Sequence, residues 1–304
     1  VLVGLDHDGN VHSQTVDGDR VDGVRSERRG PVLTVTLDSP ANRNALSAGL
    51  LDRLRTVLDS VAGDSDVRVV VLTGAGTTFS SGADLRERRL AHPMPDGPVG
   101  DGPAARGPAG DGPVGGGPAG DDRLAGVLSR IVELPQPVVC RVNGHVRGGG
   151  IGLVAASDLA VAPARATFAF SEVRVGVAPA VIAVPVLRVM GRRSFARYAL
   201  TGEPFEAAEA VTAGLLTASV EAAALDGWVD GAVVSLLEGS PAALAVTKGL
   251  PERAAGEWER SLEEMAVVSS RLFGSAEGAE GMAAFLEKRR PRWAGGGSGS
   301  GAGR

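Results

Sequence analysis

The stretch Arg147-Gly148-Gly149-Gly150-Ile151-Gly152-Leu153 follows closely on an apolar run, Pro137-Val138-Val139-Cys140-Arg141-Val142-Asn143-Gly144. Together they predict a buried strand, a glycine turn and a helix of small residues from Ile151 to Ala156, which fits few architectures outside the α/β class. The first amides of such a helix have no intrahelical acceptor and point at whatever lies above them, so the turn is an anion receptor. Three glycines remove the Cβ atoms that would hold a ligand away from the main chain, so an enolate or carboxylate oxygen fits as well as a phosphate. Alone, the same pattern describes a tight turn whose glycines serve only close packing. The rest of the chain has to decide.

A chain of 304 residues, 43% of them hydrophobic, has enough apolar surface for a full core. The first 30 residues carry Asp6, Asp8, Asp17, Asp19 and Asp22 without sustained periodicity and read as a polar, loosely ordered leader. Pro31 to Leu37 alternates like a strand, a turn-rich loop covers Asp38 to Asn44, and Ser47 is placed to cap a helix with Leu50, Leu51, Leu54, Val57, Leu58 and Val61 on one face. The continuous apolar run Val67 to Leu72 then reads as a buried parallel strand, completing a β-α-β unit. It opens into a second loop of small residues, Thr73 to Leu85, at the end of a parallel strand where ligands of open α/β folds gather. The two glycine-rich loops are therefore expected to face one crevice.

Residues 93–120 are built of Asp-Gly-Pro, Gly-Pro-Ala and Gly-Pro-Val units and read as a flexible surface insertion. Leu124, Val127, Leu128 and Ile131 restore a helical face, and Pro135 and Pro137 end it before the central strand. Beyond the glycine helix come a short strand near Asp158 to Ala162, then Ala166 to Gly176, further helices over Val184 to Leu200 and Glu206 to Ala213, and a helical region over 221–293. A Gly/Ser tail closes the chain from residue 294 to 304.

Charge and composition exclude several functions. The formal net charge is −5 with both signs interspersed, so neither nucleic acid nor an anionic membrane surface is an expected partner. The single cysteine, Cys140, lies in an apolar run and reads as a small buried hydrophobe. With no run of eighteen apolar residues and a polar N-terminus, the chain reads as soluble and cytoplasmic. Glu172 is the candidate acid: it stands among apolar neighbours, where desolvation disfavours the charged form and raises the pKa toward the range useful for proton transfer. The alternative is a buried glutamate satisfied by Arg174 or by backbone.

Five segments in order, Ala41 to Leu46, Phe79 to Leu85, Val142-Asn143-Gly144 leading into Gly148-Gly149-Gly150, Phe168 to Gly176, and Phe285 to Arg290, resemble the enoyl-CoA hydratase/isomerase (crotonase) superfamily. The likeness runs from about residue 31 to Trp293, interrupted by the insertion. It implies a spiral core of ββα turns over residues 31–220, followed over 221–293 by a helical trimerisation region, and an assembly of three or six subunits. The implied substrate is an acyl-CoA thioester. No metal is implied and no separate cofactor, because coenzyme A arrives with the substrate.

Carried over by position, the resemblance makes the backbone N–H groups of Ala83 and Gly149 an oxyanion hole and Glu172 the general acid/base. It assigns substrate and CoA contacts to Arg43, Ala45, Ser81, Ala83, Asp84, Leu85, Gly148, Gly149 and Lys288, with Lys288 reaching the CoA of a neighbouring subunit. Arg86, Arg88 and Arg89 either form a solvated face or steer the CoA phosphates. Asp84 also reads as a helix cap, Asp158 as structural, and His145 as a packed or solvent-linked side chain. One departure stands out. Where two-glutamate hydratases carry their first acid, this chain has Gly152, so the site resembles members that keep only the second. The reading is a lyase that adds water to a 2-enoyl-CoA, including branched or methylglutaconyl types. The alternatives are a 3-enoyl-CoA to 2-enoyl-CoA isomerase, which needs only one carboxylate, and a non-catalytic acyl-CoA-binding protein.

Overall fold

The computed structural model describes residues 19–21, 23–91, 119–250, 258–289 and 291. The expected tail, most of the Pro/Gly insertion and residues 1–18 of the expected leader lie outside these. Strands β1 (Asp19–Val21), β2 (Val24–Arg29) and β3 (Val32–Leu37) form an antiparallel meander, so the later part of the assigned leader belongs to the sheet. The reading missed β2 because its sequence, Val-Arg-Ser-Glu-Arg-Arg, buries only Val24 fully. Such a strand near a sheet edge needs charge on its outer face and shows no apolar alternation.

Helix α1 (Ala48–Ala62) is capped by Ser47, whose hydroxyl accepts from the Leu50 amide at 3.3 Å, and buries the six predicted apolar residues. From there the chain repeats one step: a strand in a large sheet, a strand in a small sheet, then helix. The first step comprises β4 (Val69–Gly74), β5 (Thr78–Ser80), α2 (Leu85–Ala91) and α3 (Ala119–Glu133). The second comprises β6 (Val138–Arg141), β7 (His145–Arg147) and α4 (Gly149–Ala156). The third comprises β8 (Leu159–Pro163), β9 (Thr167–Ala169), a 3₁₀ turn over Glu172–Val175, and α5 (Ala180–Val189). This is the ββα spiral. Met190 and Gly191 separate α5 from α6 (Arg192–Thr201), where the sequence suggested one continuous helical stretch.

β10 (Phe205–Glu206), α7 (Ala207–Thr212), β11 (Ala218–Val220), α8 (Leu225–Glu238) and α9 (Pro241–Lys248) complete the body. Two more helices, Trp258–Phe273 and Ala276–Leu286, follow. The large sheet runs β1-β2-β3-β4-β6-β8-β11, parallel from β3 onward, and the small one β10-β9-β7-β5. Register brings Val35, Leu72, Cys140 and Ala160 into one row, all buried in the main core. Burial pushes the Cys140 thiol pKa upward, which leaves it a packing residue. The opposite face of the large sheet (Val32, Val69, Val71, Val139 and Val161) is covered by Leu225, Val229 and Val233 of α8. Among the described residues no single helix is long and apolar enough to cross a membrane.

Packing, rather than helix propensity, holds α4. Its three glycines each cost about 1 kcal/mol relative to alanine. Ile151, Leu153 and Val154, at most 1% exposed, each contribute about 1.5–3 kcal/mol through burial, so the packing term wins.

Candidate active site

Two loops leave the same end of the sheets and meet through their glycines. A Cβ built on Gly82 would lie 3.5 Å from the Cα of Gly148, and one on Gly148 would lie 3.7 Å from the Cα of Gly82. Gly148 adopts φ 47° and ψ −122°, a region closed to residues with a side chain. The first loop is held by Asn44, which is fully buried, donates to the carbonyls of Ala75 and Thr78 at 3.0 and 2.8 Å, and accepts from the Ser39 amide at 2.8 Å. Ser81 N donates to Arg43 O at 3.0 Å, Ser80 Oγ to Asn44 O at 2.9 Å, and Leu46 N to Gly82 O at 2.8 Å. These bonds fix the main chain on either side of Ala83. The Ala83 and Gly149 amides themselves have no acceptor among the described residues.

Both residues line a cavity of about 650 Å³. So do Arg43, Ala45, Ser81, Asp84, Leu85, Gly148 and Glu172, and these are the expected site residues with one exception. Lys288 is exposed, at φ 55°, and is not part of the lining. Arg289 beside it is. Asp84 Oδ1 accepts from the amides of Arg86 and Glu87 at 3.0 and 3.3 Å, which is the helix-capping role read from the sequence. His145 lies outside the cavity, with Nδ1 2.9 Å from Thr167 Oγ1. Asp158 is tied to the Val138 amide at 2.7 Å and to Lys248 Nζ at 2.8 Å, which makes it structural.

Glu172 opens the 3₁₀ turn, and its Oε1 would be 3.1 Å from a Cβ on Gly148. The carboxyl therefore overlooks the glycine seam. Although the residue as a whole is only half-buried, its Oε2 is sealed from solvent and has no hydrogen-bond partner among the described residues. Burial pushes the carboxyl from its ordinary 4.5 up to about 7, and a hydrogen bond from its own backbone pulls weakly the other way. Arg174 does not satisfy it: that side chain is exposed and reaches Thr201 O at 3.4 Å. The charged groups sharing the cavity with Glu172 are Arg43, Asp84, Arg86, Arg88, Arg174 and Arg289.

Two features escaped the sequence reading. A Cβ on Gly152 would lie 2.6 Å from Ile182 Cγ2 and 3.4 Å from Leu128 Cδ1, so α5 fills the space an acid at that position needs. No pattern in the sequence pairs Gly152 with Ile182. The second is the cavity's outer wall: Ser269, Phe273, Gly281, Phe285 and Leu286 of the last two helices close it from within the same chain.

A model of the family described as "Enoyl-CoA hydratase/isomerase" matches residues 27–97 and 121–296. Among curated relatives, the mitochondrial enoyl-CoA hydratase domain-containing protein 3 of Danio rerio is 27% identical over 296 residues, covering 91% of this chain and 90% of that protein. A crystal structure of an enoyl-CoA hydratase from Mycobacterium avium superposes with a TM-score of 0.75 at 40% identity, covering 90% of this chain and all of that one. A methylmalonyl-CoA decarboxylase in complex with 2-nitronate-propionyl-CoA superposes with a TM-score of 0.70 at 25% identity, covering 88% and 96% of the two chains.

Proposed function

Because the chain belongs to the enoyl-CoA hydratase/isomerase family, we propose that Glu172 moves a proton at the α-carbon of an enoyl-CoA thioester while the Ala83 and Gly149 amides hold the enolate oxygen. The observation that carries this is the Glu172 carboxyl, whose Oε1 faces the seam between two loops that each offer a free amide and whose Oε2 is buried with no hydrogen-bond partner among the described residues. A preorganised donor of this kind is worth on the order of 3 kcal/mol in the transition state of related acyl chemistry. A carboxyl with a pKa of about 7 is divided between base and acid at neutral pH, as a group that takes a proton and returns it must be. The nitronate in the complex of the related decarboxylase is a planar anion of enolate shape, which supports an acyl-CoA ligand of that charge and shape for this chain.

Of the reactions open to one carboxyl, the geometry favours moving a double bond. Glu172 takes a proton from Cα of a 3-enoyl-CoA, the electrons of that C–H bond shift the double bond from C3–C4 to C2–C3, and the acid returns the proton to Cγ. No water enters and no second acid is needed. Ile182 occupies the space that the side chain of a second acid at position 152 needs, and this weighs against a two-acid hydration. Hydration of a 2-enoyl-CoA is the second reading, supported by the names of the relatives. Supplying 3-hexenoyl-CoA and crotonyl-CoA separately, and following the conjugated-thioester absorbance, tests both. A rise from the first substrate faster than the fall from the second supports isomerisation. The reverse ranking makes this a hydratase, and no change with either removes the catalytic proposal.

A further inference from the structure

Glu172 poses a positioning problem. Catalytic carboxylates are commonly aimed by a hydrogen-bond partner on another part of the chain, yet this one is bonded only from its own backbone and its Oε2 has no partner among the described residues, so its aim depends on how its short 3₁₀ turn is packed. Three residues along that turn stands Val175, which with Val177, Phe273 and Met282 forms a small apolar cluster separate from the main core. Packed against it are Ala83 and Leu85, the first of which is the proposed oxyanion donor. The cluster thus joins three parts of the chain that are remote in sequence: the turn bearing the acid, the loop bearing the first amide, and the last two helices.

Met282 is fully buried in that cluster. Beside it, Gly281 brings the Ala276–Leu286 helix onto the turn main chain to main chain: a Cβ there would lie 2.0 Å from Val175 O and 2.2 Å from Val175 C. On the other side the same region is fastened to α2. The Arg88 guanidinium lies 4.5 Å from the centre of the Phe273 ring, and Arg89 meets Glu287 at 3.9 Å. At the helix end, Arg289 holds the buried Glu280 through two bonds of 2.6 and 3.0 Å.

We infer that Met282, seated by the close approach at Gly281, is a positioning residue that clamps the Glu172 turn against the Ala83 loop and excludes water from the acid. This rests on the proposed role of Glu172, and the test separates the two. In the full-length protein, exchange of the α-protons of butyryl-CoA with deuterium oxide is followed against pH, together with the butyryl-CoA dissociation constant. The Glu172 carboxyl is titrated by carbon NMR, assigned by difference from Glu172→Gln.

Met282→Ala is expected to slow exchange ~10- to 100-fold, the scale of a misplacement of about 1 Å, while thioester binding changes less than about threefold. Water reaching the acid lowers its titration midpoint, and the acidic limb of the exchange profile moves to lower pH with it. Met282→Leu restores both. If Met282→Ala does not fold, Met282→Val is read by the same criteria. Unchanged exchange and titration in the truncated variant, or a slower rate with no movement in either pH curve, overturns the clamp. A wild-type protein that exchanges no α-protons overturns the acid–base reading instead, and the carboxyl titration then still decides the clamp.

Discussion

Replacing Glu172 by glutamine is expected to abolish turnover and, at the same time, make the protein more stable. The wild-type carboxyl titrates at about 7 when folded against an ordinary 4.5. A group whose folded pKa is raised keeps its full stabilising contribution below the unfolded value and loses it as pH rises through the folded one. At about 1.36 kcal/mol per unit, burying the ionised acid therefore costs roughly 3 kcal/mol above pH 7 and roughly 1 kcal/mol at pH 5. Glutamine keeps the shape and never ionises, so its advantage over wild type should grow by about 2 kcal/mol between pH 5 and pH 8. Urea unfolding of both proteins at the two pH values measures this directly. An advantage that does not change with pH, or a variant less stable at pH 8, refutes the claim that the acid is held desolvated. Wild-type kcat/KM for a 3-enoyl-CoA should fall about tenfold per unit below pH 7, because the base form is being titrated away.

Gly148→Ala places a side chain at φ 47° and 3.1 Å from Glu172 Oε1, so it should cost about 1–3 kcal/mol of stability and lower kcat more than it raises KM. Chemical unfolding alongside steady-state kinetics checks both. Gly152→Glu alone should destabilise the fold, since its Cβ meets Ile182 at 2.6 Å, whereas Gly152→Glu with Ile182→Ala should fold and shift products from isomer toward 3-hydroxyacyl-CoA. Product ratios by mass spectrometry decide the outcome. Lys248 Nζ bonds the carbonyls of Ile131 and Gln136 at 2.8 and 3.1 Å and Asp158 at 2.8 Å. Lys248→Met leaves that carboxylate without its cation and should cost about 3 kcal/mol by urea unfolding, with kcat unchanged because the pair is remote from the cavity.

Much of the fold was legible because its central strands are continuous apolar runs and its helices have clean apolar faces, as in Val67 to Leu72 and in α1. The glycine turn was legible for a different reason: no other residue tolerates that approach of two main chains. The small sheet was not foreseen as a sheet, since β5, β7, β9 and β10 span only two or three residues each and leave no periodicity to read. Asn44 read as a loop residue, yet it is the buried fastening of the first loop, and a polar side chain whose donors both go to backbone more than thirty residues away leaves no local trace. The wall formed by Ile182 and the cluster around Met282 are contacts between segments tens of residues apart or more, and spacing along the chain carries no information about them. Of the C-terminal motif, Arg289 lines the cavity of its own chain while Lys288 stands exposed beside it, a difference the motif itself does not carry.

The Gly82–Gly148 seam separates what this scaffold can change from what it cannot. The anion seat proposed there is made of peptide amides, which every residue but proline supplies, so a change at position 83 that keeps its packing against the Met282 cluster leaves the seat untouched. Novel chemistry must then come from the surrounding upholstery, of which Ile182 is one panel. A descendant of this chain can switch reactions by re-covering that panel without ever rebuilding the chair.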